Sequence, residues 1–487
     1  MSVPRKIYID CTATYYSDLN TGIQRVVNNV IARSDDLSKK FGVEIVPIVA
    51  VHGTFKSLQD VIELSKQQSL LGVGRKGLSL LKLRISKFFL RASTSSFPIG
   101  AFAQMVHAGL HFTYSALHKL FRTVNPTRVL PRRKNYNSDF FSSNDLFLML
   151  DSFWTYGALD LAERSKTSRP IIVSVIYDLI PITHPQYCDK EFVKVFEQLL
   201  PRIVALSEGL IGISQTVQHS IADYVSRNSP KWEKKGMLDY FYLGADFKFD
   251  ALLQTEQLSP DVAELLTSEV PFFLAVGTVE PRKGYDYLME GFEILWRQGT
   301  VNPLVIVGKV GWLCTDILKR AEDLKKLGRP LLMLHDVDDY TLDLLYLQSA
   351  GVIFPSFVEG FGLPLVEALV RGKPVLASNI EVFEEIGGAN VSYFKAGSAE
   401  SLAQSVGEFN STLLENDYSA KTRIINGAIS WDESAHMLIQ KSIDIFSTIS
   451  KDRYFRNNPV MDPLAKPSQE KLVSKNDIES QEQCPVS

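Results

Sequence analysis

The chain contains 487 residues, carries a formal net charge of −3 and is 45% apolar. This length is too great for one hydrophobic core, so the composition predicts a soluble globular protein of two or three domains. The four cysteines form no C-x-x-C pair, which argues against a zinc site or a disulfide framework: Cys11, Cys188, Cys314 and Cys484. We therefore expect reduced thiols in a cytoplasmic protein. Because the first residues lead directly into a predicted strand, we expect no secretory signal.

The first half of the chain alternates apolar runs with amphipathic segments. This pattern predicts a parallel sheet covered by helices on both faces. A turn at Thr21 and Gly22 leads into a helix that starts near residue 23. Strands are predicted at residues 6–13, 43–51, 145–151, 171–178 and 209–214. We assign residues 1–250 to a first domain.

A basic segment at residues 64–138 interrupts this domain. It contains thirteen Lys or Arg residues and no Asp or Glu. In a helix over residues 78–91, one stripe would carry Arg84, Lys87 and Arg91, with the apolar side chains away from it. That composition is typical of a helix lying in a membrane interface, so we predict that the segment contacts an anionic membrane surface.

Two other interpretations of the basic segment are open. It could be a solvated loop, or a patch that binds a partner or nucleic acid. No recognisable nucleic-acid motif accompanies the charges, so we predict no nucleic-acid partner. Residues 92–118 are uncharged but include Pro98, His107 and His111, so a spanning helix is not predicted. The expected location is cytoplasmic, peripheral on the inner face of the cytoplasmic membrane.

The second half continues the alternation after a polar crossing that ends near residue 269. Strands are predicted at residues 272–277, 304–308, 331–335, 352–354 and 375–377. We assign residues 270–430 to a second domain and residues 431–451 to a closing helix. The polar, proline-broken residues 452–487 predict a disordered tail.

Two carboxylates flank a glycine loop in the second domain. Glu359 and Glu367 stand on either side of Gly360 and Gly362, between a buried apolar strand and a helix that includes Pro364. The glycines allow close backbone approach, and the helix start favours an anion such as a diphosphate. Glu367, predicted in the first helical turn, could accept both hydroxyls of a vicinal diol. Alternatively, both glutamates are ordinary loop and helix-start charges.

Further motifs surround this loop in a defined order. Upstream, a strand at 272–277 runs into the adjacent cations Arg282 and Lys283, and downstream come residues 372–378 and 384–388. The ordered set resembles glycosyltransferase family 4, the retaining nucleotide-sugar glycosyltransferases of GT-B fold. The resemblance covers residues 271–449 strongly and residues 6–246 more loosely.

The resemblance implies an α/β fold in which two Rossmann-like, doubly wound domains face each other across a cleft. The first domain would bind the acceptor, the second would bind the donor nucleotide sugar, and the helix at 431–451 would pack back on the first domain. It also implies a metal-independent hexosyltransferase without a cofactor.

Residue roles follow from the same resemblance. Glu359 would contact the transferred sugar and act in catalysis, and Glu367 would hold the nucleotide ribose. Transfer also needs the charge of the departing diphosphate to be stabilised, for which Arg282 and Lys283 are the candidates. The alternative is a pair of surface cations in a turn. The amides of the loop would meet the phosphates or the sugar: Gly360, Phe361, Gly362 and Leu363.

The first domain supplies three further candidates. Gly22 resembles the family's loop that faces the donor diphosphate, and it is equally compatible with a helix-capping turn. Asp178 is a candidate active-site carboxylate, with a helix cap as the alternative. Many relatives carry a histidine where this chain has Tyr177, so that role is absent or moved. His184 is a weaker candidate, interpreted as structural.

An acidic run at residues 336–339 could be taken for a metal-binding motif. It lies between a predicted strand and a predicted helix, where aspartates cap helices and favour the dipole. We prefer the capping interpretation and predict no metal site.

Three function classes were compared. The favoured one is a retaining glycosyltransferase that moves a sugar, such as mannose from GDP-mannose, to a lipid-linked or polysaccharide acceptor in surface glycan biosynthesis. The alternative is a non-catalytic nucleotide-sugar-binding scaffold on the same fold at the membrane. A dinucleotide-dependent oxidoreductase is excluded because no G-x-G-x-x-G turn follows the first strand.

Overall fold

A computed structural model describes residues 3–17, 21–51, 53–63, 140–154, 157–164, 169–246, 258–415 and 429–457. The predictions for the basic segment 64–138 lie outside the described residues, as does Cys484. The three described cysteines are buried and unpaired: Cys11, Cys188 and Cys314. Within the described ranges, no helix has both the length and the apolar character needed to cross a bilayer.

The first sheet has seven strands in the order β3-β2-β1-β4-β5-β6-β7. All neighbours pair in parallel except β2 and β3. The central strands β4 and β5 are buried along their whole length, as expected for a sheet covered on both faces. The strands are Lys6–Asp10 (β1), Glu44–Val51 (β2), Thr54–Ser57 (β3), Leu146–Met149 (β4), Ile171–Ile176 (β5), Gly209–Gly212 (β6) and Met237–Tyr240 (β7).

The second sheet has six parallel strands in the order β10-β9-β8-β11-β12-β13. This is the strand order of a doubly wound dinucleotide-binding domain. The predicted fold class, two Rossmann-like α/β domains, is confirmed. The strands are Phe273–Val276 (β8), Leu304–Val307 (β9), Leu331–Leu334 (β10), Gly351–Phe354 (β11), Val375–Ser378 (β12) and Val391–Phe394 (β13).

Helices connect and cover the strands. Those of the first half are Thr12–Tyr16, Gly22–Ile31, Ser34–Phe41, Ala158–Arg164, Ile180–Thr183, Lys190–Leu206, Gln215–Asn228 and Pro230–Glu233. Those of the second half are Pro260–Thr267, Tyr285–Arg297, Thr315–Lys326, Asp339–Gln348, Leu363–Val370, Glu381–Gly387, Ala399–Glu415 and Trp431–Asn457. Short 3₁₀ turns occur at Pro185–Tyr187, Pro281–Lys283 and Gly388–Asn390.

Several predicted boundaries differ from the structure. The first strand ends at Asp10 rather than near residue 13, because the Asp10 carboxylate accepts hydrogen bonds from the backbone (3.1 Å) and hydroxyl (2.5 Å) of Thr12 and turns the chain. Three short strands were not predicted: β3, β7 and β13. All three lie at sheet edges, where burial on only one side weakens the apolar signal.

The last described helix, Trp431–Asn457, lies against the first domain. Lys441 donates to Asp239 at 2.6 Å, and Arg453 donates to Glu208 at 2.7 Å. This helix continues to Asn457, so the prediction that a disordered tail begins at residue 452 was wrong at its start. The helix thus holds residues 431–457 against the first domain.

Candidate functional site

The site lies where the winding of the second sheet changes direction. Strands β8 and β11 are neighbours in the middle of this sheet. The strands that follow β8 in the chain, β9 and β10, lie on one side of this pair, and those that follow β11, β12 and β13, lie on the other. Ligands of open α/β sheets bind at this point, beyond the carboxyl ends of the strands. The segments that follow β8 and β11 carry Arg282, Lys283 and Glu359.

Glu359 is the centre of a charged cluster in these segments. Its carboxylate accepts from Arg282 Nη1 at 2.7 Å, from Ser356 Oγ at 2.8 Å and from Lys283 Nζ. Burial would raise the pKa of Glu359, but the charges of Lys283 and Arg282 outweigh it and lower the pKa to about 2. Glu359 is therefore an ionised carboxylate at neutral pH.

The two cations differ in their surroundings. Arg282 also donates to Glu280 Oε2 at 2.9 Å, and these carboxylates together raise its pKa although burial opposes the rise. Burial lowers the pKa of Lys283, and the charge of Glu359 only partly offsets that effect. Their side chains are only 19% and 11% exposed, which excludes the predicted alternative of surface cations in a turn.

Two glycines of the loop are required by its geometry. A Cβ on Gly360 would lie 2.4 Å from the carbonyl oxygen of Tyr177 and 3.2 Å from the Cβ of Asp178, so only glycine lets the loop approach the first domain. Gly362 has a φ of 93°, a left-handed conformation that begins the helix Leu363–Val370. The side chains of Phe361 and Leu363 are buried.

Glu367 lies one turn deeper in this helix than predicted. The helix begins at Leu363 and has no acidic residue in its first turn, so Glu367 is the fifth residue and the prediction of a first-turn position was wrong. Its side chain is 8% exposed and forms an ion pair with Arg25 of the first domain. Tyr346 OH donates to its other oxygen at 3.4 Å.

Gly22 lies opposite the same helix. It opens the helix Gly22–Ile31, and Gln24 accepts from the backbone N–H of Thr21 at 3.3 Å, so the predicted capping turn is present. A Cβ on Gly22 would lie 3.8 Å from Cδ1 of Leu363. The turn therefore faces the start of the second-domain helix.

Asp178 lies on the first-domain side of the charged cluster. Its carboxylate accepts from Ile180 N at 3.0 Å, but the N-cap of the short helix Ile180–Thr183 is Leu179, so Asp178 is not the N-cap residue that the alternative predicted. Burial raises the pKa of Asp178, and the positive charge of Arg282 opposes the rise. Asp178 therefore combines a local backbone hydrogen bond with an electrostatic interaction with Arg282 of the predicted donor site.

Tyr177 and His184 have other partners. The hydroxyl of Tyr177 donates to the carbonyl of Leu150 at 2.8 Å inside the first domain. His184 Nδ1 lies 2.9 Å from Thr183 Oγ1, and its ring stacks against Tyr187 at 6.2 Å between centroids. These contacts are structural, as expected for His184.

The acidic run at 336–339 caps a helix. Asp338 is the N-cap of Asp339–Gln348 and accepts from Thr341 N at 2.7 Å and Thr341 Oγ1 at 3.1 Å. The capping interpretation accounts for this carboxylate.

Three residues of the site and its cleft were not predicted: Arg25, Glu280 and Glu385. Glu385 of the second domain accepts from Gln215 N at 2.7 Å and from Thr216 N at 2.8 Å, where it caps a first-domain helix. The only sequence signals were the neighbouring motifs. Arg25 follows the turn at Gly22, but that motif does not indicate that Arg25 pairs with Glu367. Glu280 precedes Arg282, but that motif does not indicate that the two form an ion pair.

Comparison with known proteins places part of the chain beside a known family. Residues 261–430 match the family described as Glycosyl transferases group 1. The chain is 32% identical over 409 residues to the serotype-specific mannosyltransferase WbdA of Escherichia coli, covering 82% of this chain and 47% of that protein. It is 34% identical over 118 residues to the O-antigen chain mannosyltransferase B of Escherichia coli, covering 24% and 31% respectively. The chain thus spans about half, or less, of the length of these curated relatives.

A solved structure shows a weaker likeness. The crystal structure of Anabaena Alr3699/HepE in complex with UDP and glucose covers 93% of this chain and 99% of its own, at 16% identity and a TM-score of 0.47. The fold assignment depends on the two sheets and not on this likeness. The sheet order and the clustered motif residues agree with the resemblance, and residues 261–430 match the glycosyl transferases group 1 family.

Proposed function

We propose that this chain transfers mannose from GDP-mannose to a glycan acceptor, lipid-linked or polysaccharide, in surface glycan biosynthesis. The observation that carries the proposal is the buried cluster of Arg282, Lys283 and Glu359 at the point where the second sheet changes direction. Two cations held there by an ionised carboxylate are suited to a diphosphate leaving group. The mannosyltransferase relatives support the choice of sugar.

Each group has a distinct task in this reaction. The bond between the sugar's anomeric carbon and the diphosphate breaks, the acceptor hydroxyl oxygen bonds to that carbon, and a nucleoside diphosphate and a proton are released. Arg282 and Lys283 stabilise the negative charge on the departing diphosphate. Glu359 holds both cations and contacts the sugar, while Glu367 accepts the ribose hydroxyls. Asp178 faces the reacting centre from the acceptor side.

Ligand binding gives the first test. A thermal-shift series with GDP, UDP, ADP and CDP should show the largest stabilisation with GDP, because a ligand that binds only the folded state raises the melting temperature. Equal shifts for all four diphosphates would contradict the choice of nucleotide. No shift with any of them would contradict a nucleotide-sugar site.

Turnover separates an enzyme from a scaffold. Incubation with GDP-mannose and a mannose-terminated acceptor should release GDP and extend the acceptor, and Glu359→Gln should abolish extension. Binding without extension on any acceptor tested would favour the non-catalytic alternative. The anomeric configuration of the product, measured by NMR, tests whether the reaction retains configuration. Activity should persist in a chelator, since cationic side chains supply the positive charge.

We further propose that the enzyme works at the cytoplasmic face of a membrane through residues 64–138. The support is the sequence of this segment, with thirteen cations and no acidic residue. Wild-type protein should float with anionic liposomes, less so as salt rises, because each cation near such a surface contributes roughly 1 kcal/mol. Charge reversal of Arg84, Lys87 and Arg91 to Glu should release it. Failure to bind at low salt would contradict this location.

A further inference from the structure

The carboxylate of Glu367 is held from both sides by side chains of different domains. Arg25, from the first-domain helix Gly22–Ile31, pairs with Oε1 through its Nη2. The hydroxyl of Tyr346, from the second domain, lies 3.4 Å from Oε2 and 3.4 Å from the carbonyl oxygen of Pro364, either of which can accept its hydrogen bond. Glu367 is 8% exposed on its side chain, whereas Arg25 is 39% exposed. Arg25 therefore reaches a buried carboxylate from a more exposed position.

The second domain supports Glu367 with a rigid frame. Arg371 donates to the backbone carbonyl of Glu367 at 2.9 Å, lies over the Tyr346 ring at 4.8 Å and is fixed by Asp343 at 3.1 Å. These groups fix the helix and one carboxylate oxygen. The other oxygen is oriented by Arg25, which is the first domain's contribution.

We infer that Arg25 is a positioning residue of the donor site, and that the ribose subsite is complete only when the first domain supplies it. This inference rests on the proposed function, in which Glu367 accepts the ribose hydroxyls. A carboxylate accepts a diol well when it is fixed in orientation, and a guanidinium bonded to one oxygen provides this while leaving acceptor capacity. Burial disfavours the charge of Arg25, but Glu367 outweighs that effect and raises the pKa of Arg25.

Nucleotide binding by a set of variants tests the inference. In calorimetric titration, Arg25→Ala should bind GDP at least about tenfold more weakly than the wild type. This is the loss of affinity expected when a hydrogen bond to a charged group is removed. Arg25→Lys should recover part of the affinity, because the ammonium keeps the charge but not the planar fork. The double variant Arg25→Ala/Glu367→Gln should bind GDP no more weakly than Glu367→Gln alone, because the two residues act through one contact.

Two controls separate positioning from general damage. Arg33 follows the same helix and pairs with Asp246 at a distance of 3.2 Å. Because this ion pair does not involve Glu367, Arg33→Ala should bind GDP like the wild type. Inorganic pyrophosphate lacks a ribose, so its affinity should be the same for Arg25→Ala and the wild type. In steady-state transfer, Arg25→Ala should raise the KM for the donor and change kcat little.

Several outcomes would overturn the inference. They are unchanged or tighter GDP binding by Arg25→Ala, additive losses in the double variant, an equal loss in Arg33→Ala, or a matching loss of pyrophosphate affinity. In all of these the wild type still binds GDP, so the proposed function stands. A wild type that binds neither GDP nor any other nucleoside diphosphate would overturn both.

Discussion

The two sheets have corresponding points where their winding changes direction, and the charged side chains at these points differ. In the first sheet, Asp10 ends β1 and Asp151 follows β4, and both are almost completely buried. Burial and the neighbouring Asp151 raise the pKa of Asp10 to about 7, although hydrogen bonds from Thr12 oppose the rise. In the second sheet, the carboxylate of Glu359 has a pKa of about 2 because two cations bind it.

The difference shows what the shared topology does and does not determine. Strand order brings two loops together at the carboxyl ends of each sheet. The residues on those loops determine the charge of each centre. Among the described residues, no cation pairs with Asp10 or Asp151. Their carboxylates instead accept hydrogen bonds from Thr12, Thr14 and Ser152. The first domain thus has a centre of buried aspartates without cations, and the second has a centre of paired cations and carboxylates.

The largest expected effect is on the pH dependence of stability in the first domain. Asp10 ionises near pH 4 in the unfolded chain and near pH 7 when folded, so the unfolded state carries fewer protons between these values. The free energy of unfolding should therefore fall as pH rises from about 4 to 7, by at most about 4 kcal/mol. Asp10→Asn should lack this fall in urea unfolding curves, because an amide does not ionise. Its amide oxygen can still accept from Thr12, which keeps the local hydrogen bond.

An exposed aspartate is the control for that experiment. Asp223, whose carboxylate is 74% exposed, pairs with Arg227 at 3.7 Å on the surface. Asp223→Asn should follow the wild-type pH profile. If the free energy of unfolding of Asp10→Asn fell with pH as it does in the wild type, the two centres would not differ in the way described.

The second prediction removes a cation from the second centre. Lys283→Met should lower the transfer rate by about a hundredfold to a thousandfold, or roughly 3 kcal/mol, because one group that stabilises the departing diphosphate is lost. The rate is measured as GDP release at saturating donor. Arg297→Ala, which removes a 67% exposed arginine paired with Glu293, should leave the rate unchanged. A Lys283→Met enzyme with the wild-type rate would contradict the assignment.

The third prediction tests the low pKa of Glu359. Its folded pKa of about 2 lies below the ordinary value of 4.5, so it stabilises the fold above pH 4.5. This contribution, about 3 kcal/mol, is lost as pH falls from 4.5 through 2. Urea unfolding at about pH 6 and pH 3 should show a smaller loss of stability for Glu359→Gln than for the wild type. Equal losses would mean that Glu359 is not held ionised by the cations.

The smallest expected effect concerns the contact between the domains. Glu385→Ala removes the carboxylate that binds the amides of Gln215 and Thr216, and should cost roughly 1–2 kcal/mol, as for other helix caps. Hydrogen exchange at these two amides should accelerate. Glu381→Ala is the control, because Glu381 only approaches the exposed His219 at 3.7 Å. Unchanged exchange in Glu385→Ala would show that the cap does not hold the domains together.

Local patterns were sufficient for most of the fold. Apolar runs of four or more residues marked the buried strands, while the edge strands β3, β7 and β13 were missed. The order of the motifs also identified the residues that the structure brings together around Glu359. The exact start of the helix at Leu363 was not readable, because it depends on the left-handed conformation of Gly362.

By itself, the sequence determined the two α/β domains, the glycine loop and the identity of Arg282, Lys283 and Glu359 as candidate site residues. These features depend on periodicity and on neighbouring residues, which a sequence displays directly. Only the tertiary structure decided that Arg25 pairs with Glu367, that Gly360 contacts the first domain at Tyr177, and that Glu385 caps a helix 170 residues away. Such contacts join residues remote in the chain, and they form because the packing of two domains, not any local pattern, sets which surfaces meet.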